Sequence, residues 1–326
     1  MTFWHDRVAP GRRAGPCGAL RAIGYRADVT ADAAAAVPVE PSDDVRRVGV
    51  VGGGLMGSGI AEVCAGAGCD VVVAESDDAA AARALARITA SVERGVTRGK
   101  ISADDAQAAL GRVRVVTGLD ALADRDLVVE AVVEDERAKV DVFSALDRIV
   151  VRPDAILASN TSSIPIMKVA MATGRAEHVV GLHFFNPVPV LRLVELVPSL
   201  LTSGETVRRV QSFAENALHK KVIHCRDRAG FVVNALLVPY LLSAVRMLES
   251  GYATAEDIDT GMVQGCAHPM GPLALTDLIG LDTTKAIAES LYEEFKEPLY
   301  APPPLLSRMV DAGLYGKKSG RGFYKY

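Results

Sequence analysis

The residues in this chain best suited to chemistry fall into two groups. The first is Gly52, Gly54 and Gly57, spaced G-x-G-x-x-G between a short apolar run (Val48, Val50, Val51) and a helical apolar pattern (Ile60, Val63, Cys64, Ala67). Each glycine there has a mechanical task. Gly52 makes the tight turn off a strand, Gly54 lets a pyrophosphate approach bare backbone, and Gly57 lets the helix pack close to the sheet. Gly68 stops the helix, Asp70–Glu75 reads as a second strand, and Glu75 places an acid where an adenosine ribose 2′-OH would sit. Strand, glycine turn, helix and strand within about 30 residues point to a dinucleotide site. No G-K-[ST] follows the glycines, so a mononucleotide loop is not supported. The carboxylate at position 75 would repel a 2′-phosphate, and the next arginine, Arg83, lies eight residues on, which favours NAD(H) over NADP(H).

The second group is His183 and Glu195. Two strand-like runs flank a proline-containing turn centred near Pro189, and both residues lie six positions from it, so a hairpin sets them opposite one another. A carboxylate facing a histidine in this way accepts Nδ1–H, fixes the tautomer and leaves Nε2 as a base. A lone histidine among apolar residues is more often a satisfied core group, and the residues alone leave both readings open. His178 and His183 differ by five, so on one strand they face opposite ways and make no metal pair. Ser159–Ser163 (SNTSS) follows a strand and precedes Pro165. Such a cluster is commonly a helix N-cap, but ligands of open α/β sheets bind at that end of the strands.

These groups need a scaffold, and the pattern supplies one. Ala79–Arg98 has helical spacing, and Ser102–Asp105 resembles a capping box opening a second helix. Val113–Val116, Asp126–Val133 and Ala155–Ser159 read as strands, with a helix on Val140, Phe143, Leu146 and Val150 between the last two. From Asp227 strand-like runs stop, and helices are predicted over 231–250, 254–265, 273–279 and 281–295. The expected fold is α/β: a Rossmann-type doubly wound sheet domain over 45–227, then an all-helical C-terminal domain over 228–326 for substrate and dimerisation. The tail from Gly316 is basic and glycine-rich and reads as an ordered ending near an anionic group.

Bulk properties remove several classes. With 326 residues and a net charge of −4, the chain lacks the basic excess of a nucleic-acid binder. Its five cysteines (Cys17, Cys64, Cys69, Cys225, Cys266) are scattered without C-x-x-C, so neither disulfide framework nor zinc site is suggested, and a reducing compartment, the cytoplasm, fits. The most apolar stretch, 231–248, is broken by Asn234, Pro239 and Arg246, so no membrane span is expected. Residues 1–44 read as a disordered leader or an over-long start, a transit peptide being the other reading.

Together these landmarks resemble the 3-hydroxyacyl-CoA dehydrogenase family, most closely its bacterial 3-hydroxybutyryl-CoA branch. The resemblance runs over about residues 46–326 and is carried by GGGLMGSGIAEV, DLVVEAVVED, SNTSS, GLHFFNPVPVLRLVEL, GFVVNALLVPY, HPMGPLALTDLIGLD and GKKSGRGFYKY in order. It implies reversible NAD-dependent oxidation of an (S)-3-hydroxyacyl-CoA, in fatty-acid β-oxidation or butanoate metabolism, by a homodimer. It implies His183 as general base, Glu195 to orient it, Ser162 on the substrate oxygen and Asn234 to place substrate and histidine. On the cofactor side it implicates Gly52, Gly54, Leu55, Met56, Gly57, Glu75, Glu134, Lys139, Ser162, Asn186 and Lys318, and on the CoA side Ser91, Arg98 and Ser162. Ala229 stands where many members have proline, which would loosen the interdomain hinge. An acyl-carrier-protein thioester, another hydroxyacid, or nucleotide binding without catalysis stay open as alternatives.

Overall fold

The computed structural model describes residues 45–326, so the leader anticipated at 1–44 lies outside the described residues. The first half alternates strand and helix: β1 (Arg47–Val51), α1 (Leu55–Gly66), β2 (Asp70–Glu75), α2 (Asp78–Thr97), α3 (Ala103–Gly111), β3 (Val113–Thr117), β4 (Leu127–Glu130), α4 (Glu136–Ile149), β5 (Ile156–Ser159), α5 (Ile166–Ala170) and β6 (Val179–Phe184). Next come β7 (Leu193–Pro198), α6 (Gly204–Ser212) and β8 (Lys221–His224). These strands form one eight-stranded sheet in the order β3-β2-β1-β4-β5-β6-β7-β8. The first six are parallel, in the doubly wound order that reverses between β1 and β4; β7 runs antiparallel to β6, and β8 parallel to β7.

The strands are apolar on both faces because helices cover both. Val180, Leu182, Phe184, Val194 and Leu196 enter one layer of the core, while Val179 and Val197 enter the other with Ile166 and Phe231. Alternation therefore puts His183 and Glu195 on the second face, directly paired across β6 and β7.

Helices make up the rest: α7 (Val233–Glu249), α8 (Ala255–Cys266), α9 (Pro272–Ile279), α10 (Leu281–Phe295) and α11 (Pro304–Asp311), around a separate core that includes Leu242, Leu273, Leu281, Ala288 and Leu306. Caps follow the sequence where it offers them. Asp77, Ser102, Asp135 and Thr254 each accept a backbone N–H in the first turn of their helix. The anionic group near the tail is Asp277, whose carboxylate accepts the Phe323 and Tyr324 N–H groups, each at 2.9 Å, and the Tyr326 hydroxyl at 3.0 Å.

The structure departs from the pattern in places. The run Asp126–Val133 is a strand only to Glu130, because the Glu130 carboxylate accepts the Val132 N–H at 2.8 Å and turns the chain out of the sheet. Three further elements, α6, β8 and α11, are not announced by periodicity; β8 is only four residues long and lies at a sheet edge. At the domain link, Ala229 donates its N–H to Glu294 on α10 at 2.7 Å, a bond that proline could not make, so this substitution adds a tie rather than removing one.

Candidate active site

The glycine turn has the form that a dinucleotide phosphate needs. Gly52 sits at φ +91°, and a Cβ on Gly57 would fall 1.8 Å from the Gly52 carbonyl oxygen, so the helix start can lie against the turn only as glycine. At Gly54, by contrast, a Cβ would meet nothing within 4 Å, which leaves an open approach to the backbone. Gly54 caps α1 without a side-chain bond, and no acid lies in the first turn, so the N–H groups of Leu55 and Met56 and the positive end of the helix are free for an anion. Glu75 ends β2 with one carboxylate oxygen accepting the Gly53 N–H at 2.6 Å, and its second oxygen has no partner among the described residues. Arg87 of α2 binds the Gly53 carbonyl at 2.5 Å, a contact that sequence spacing did not reveal.

Beyond the ends of β4 and β5 a buried polar network shapes the serine loop. Lys139 is 1 % exposed and pairs with Glu130 at 2.6 Å and Glu134 at 3.3 Å. Ser159 donates to the other Glu130 oxygen at 2.7 Å. Glu134 accepts from the Thr161 hydroxyl (2.5 Å), the Ser162 N–H (2.8 Å) and the Ser163 N–H and hydroxyl (3.2 and 3.1 Å). Burial would raise the Glu134 carboxyl, but Lys139, Thr161 and the Ser162 N–H outweigh it and hold it below the ordinary carboxylate value. Glu134 and Lys139 thus brace Ser162 from beneath. Glu130 and Ser159, which the motif reading passed over, complete the brace. Asn160 was also missed; its side-chain oxygen takes the Phe184 N–H at 2.9 Å and ties the loop to β6.

Ser162, His183 and Glu195 form one chain of contacts. His183 Nδ1 lies 2.7 Å from Glu195 Oε2, and Nε2 lies 3.1 Å from the Ser162 hydroxyl. Glu195 is fully buried, and its other oxygen accepts the N–H groups of Val232 and Val233 at 3.0 and 2.9 Å, at the start of α7. Burial alone would raise the Glu195 carboxyl, yet the His183 ring and these N–H groups bring it below its ordinary value. Burial, reinforced by the same carboxylate, pushes the neighbouring Cys225 thiol up to about 12 and keeps it inert. Phe185 and Phe231 flank the imidazole with centroids 4.6 and 5.6 Å away. Asn234, in the first turn of α7, is largely buried, and its amide has no hydrogen-bond partner among the described residues. An ionised Glu195 makes Nδ1 the donor and leaves the Nε2 lone pair on the open side, the arrangement of a general base.

The remaining predicted residues lie apart from this chain. Ser91 on α2 lines a small cleft of about 90 Å³ with Arg87, Arg94, Glu62 and Asn186. Burial raises the Glu62 carboxyl there, against the Ser91 hydroxyl and Arg94. Arg98 caps the C-terminus of α2, is exposed and does not line that cleft, whose cations are Arg87 and Arg94. Asn186 precedes a cis peptide to Pro187, and the following turn is held by buried Lys220, which donates to the Val188 and Leu191 carbonyls at 2.5 and 2.7 Å. Lys318 in the tail pairs with Asp282 at the start of α10.

Residues 47–228 match the family model described as 3-hydroxyacyl-CoA dehydrogenase, NAD binding domain, and residues 230–326 match the C-terminal domain of the same family. The chain belongs to the 3-hydroxyacyl-CoA dehydrogenase family. A 3-hydroxybutyryl-CoA dehydrogenase of Mycobacterium tuberculosis is 60 % identical over 285 residues, covering 87 % of this chain and all of that protein. The human mitochondrial hydroxyacyl-coenzyme A dehydrogenase is 43 % identical over 290 residues, covering 86 % and 91 %. Among solved structures, M. tuberculosis FadB2 superposes with a TM-score of 0.86 at 60 % identity, covering 87 % of this chain and all of that one. The (S)-3-hydroxybutyryl-CoA dehydrogenase of Ralstonia eutropha gives 0.81 at 45 % identity, covering 86 % and 99 %.

The cradle fits the cofactor of this family. A bare glycine backbone, an uncapped helix start and an acid at the end of β2 are what the pyrophosphate and adenosine ribose of NAD require. Among the described residues no cluster could hold a metal ion, and no helix is long and apolar enough to cross a membrane.

Proposed function

We propose that this 3-hydroxyacyl-CoA dehydrogenase interconverts a short-chain (S)-3-hydroxyacyl-CoA, 3-hydroxybutyryl-CoA above all, and its 3-oxo partner, with NAD as cofactor. The observation that carries the reading is the continuous contact from Ser162 through His183 to Glu195. In the oxidative direction Nε2 of His183 takes the proton of the C3 hydroxyl, while the Glu195 carboxylate stabilises the imidazolium. The Ser162 hydroxyl stands beside Nε2 and hydrogen-bonds the same substrate oxygen, and the Asn234 amide, without a partner among the described residues, contributes a further polar contact. NAD, when bound, supplies the hydride acceptor. In reverse, the protonated histidine returns its proton to the carbonyl oxygen.

Two further features belong to this reading. Helix α7 exposes Leu236 (74 %) and Met247, with Val232 exposed just before its start, and an apolar cavity of about 330 Å³ opens between α7 and α8, a surface suited to a second copy of the chain. The described cysteines are all free, as suits the cytoplasm. The test is oxidation of NADH in the presence of acetoacetyl-CoA, with His183→Ala alongside. The variant should lose about 10²–10⁴-fold in kcat while binding NADH as the wild type does. No turnover by the wild-type protein, or a variant with near-normal kcat, would overturn the proposal.

A further inference from the structure

A cleft of about 340 Å³ lies between the ends of β4 and β5 and the first turns of α10. Met56, Glu134, Asn160 and Ser162 line it on the sheet side, and Asp282 and Thr283 on the helical side. The glycine turn follows β1 and Glu75 ends β2, so these elements take the phosphates and the adenosine half of a dinucleotide. The strand order reverses between β1 and β4, and a dinucleotide lying across that point carries its redox half over β4 and β5, into this cleft.

Asp282 is unusual within it. One carboxylate oxygen pairs with the Lys318 ammonium, while the other, Oδ1, is buried and has no hydrogen-bond partner among the described residues. A buried carboxylate oxygen without a donor is costly, and such groups are rare unless a ligand or water completes them. The backbone is shaped to keep it there. Gly280 has φ +105°, and a Cβ at that position would lie 2.9 Å from Oδ1 and 3.2 Å from the Lys318 nitrogen.

We infer that Asp282 is a cofactor-binding residue. Its Oδ1 accepts a hydrogen bond from the redox half of the dinucleotide, either a hydroxyl of the nicotinamide ribose or the carboxamide NH₂, and Lys318 acts as its counter-ion. The helical domain thereby holds the half of the cofactor that reacts, and the sheet domain the half that anchors. This rests on the NAD reading above, which the binding of NADH to the wild-type protein decides separately.

Calorimetric titration of the full chain with NADH, ADP-ribose and ADP tests it. Asp282→Asn is the informative variant. Lys318 will draw the amide oxygen to itself, and the NH₂ then replaces Oδ1 and faces the ligand's donor. The Kd for NADH should rise about 10-fold or more, the worth of a hydrogen bond to a charged group, with ADP unchanged. ADP-ribose weakened along with NADH assigns the donor to the ribose; ADP-ribose spared assigns it to the carboxamide. An unchanged Kd for NADH, or a loss for ADP as large as for NADH, would overturn the inference. Asp282→Ala, which removes both oxygens, should repeat the pattern.

Discussion

Replacing Glu195 by glutamine separates the electrostatic work of this residue from its shape. The carboxylate is fully buried and accepts three hydrogen bonds, from His183 Nδ1 at 2.7 Å and from the Val232 and Val233 N–H groups at 3.0 and 2.9 Å. Glutamine has one acceptor oxygen for these two sides. If that oxygen keeps Val232 and Val233, the amide NH₂ meets Nδ1, which must give up its proton. The proton then sits on Nε2 and the base is lost. If the oxygen keeps Nδ1–H, the NH₂ opposes two buried donors, at a cost of about 1–3 kcal/mol each. The first arrangement is cheaper, so the expected result is a fall in kcat of about 10²–10⁴-fold. Loss of the charge from the two remaining bonds should lower unfolding free energy by about 2 kcal/mol.

The Glu195 carboxyl lies below its ordinary value of 4.5 in the folded protein, so its contribution to stability is complete above that value. That contribution is lost as pH falls through the lower folded value. The difference in unfolding free energy between wild type and Glu195→Gln, measured by denaturant titration, should therefore be constant near neutrality and shrink as pH falls below 4.5. A kcat within twofold of wild type (about 0.4 kcal/mol), or a stability difference that stays constant to about pH 2, would refute the reasoning.

Gly57→Ala puts a methyl 1.8 Å from the Gly52 carbonyl, so the turn must shift; stability should fall by about 1–3 kcal/mol and NADH binding should weaken, both readable by thermal melts with and without NADH. Glu75, with one oxygen free, should make kcat/KM with NADH exceed that with NADPH, and Glu75→Ala should narrow the ratio. Arg98→Ala should raise KM for acetoacetyl-CoA by about twofold to fivefold, the scale of an exposed ion pair, and spare a truncated pantetheine thioester. Equal effects on both substrates, or none on either, would remove Arg98 from the site and leave Arg87 and Arg94, which line the cleft with Ser91, as the better candidates.

Where local rules apply, the chain itself specifies the outcome. Strand alternation and a turn centred near Pro189 are enough to set His183 against Glu195, and the register of β6 and β7 pairs them. Glycine spacing, an acid at the next strand end and a regular strand–helix alternation are local as well, and they carry the doubly wound half of the fold. Polar side chains at helix starts likewise announce the caps at Ser102 and Thr254. Contacts between distant segments follow a different logic. Ser162 reaches His183 because β5 and β6 are neighbours and the Glu134–Lys139 brace fixes the loop between them. The second oxygen of Glu195 is satisfied by a helix start 37 and 38 residues downstream, in the other domain. Lys139, which the resemblance implicates on the cofactor side, is among the most buried side chains, and that burial is possible only because Glu130 and Glu134 pair with it. The sequence likewise offers Arg98 and Ser91 as a pair two turns apart, but only the packing of α2 against α1 and the Asn186 turn shows that the cleft beside Ser91 is lined by Arg87 and Arg94. The edge strand β8 offers only Val222 and Ile223 as an apolar run, and it forms because β7 is already in place to receive it.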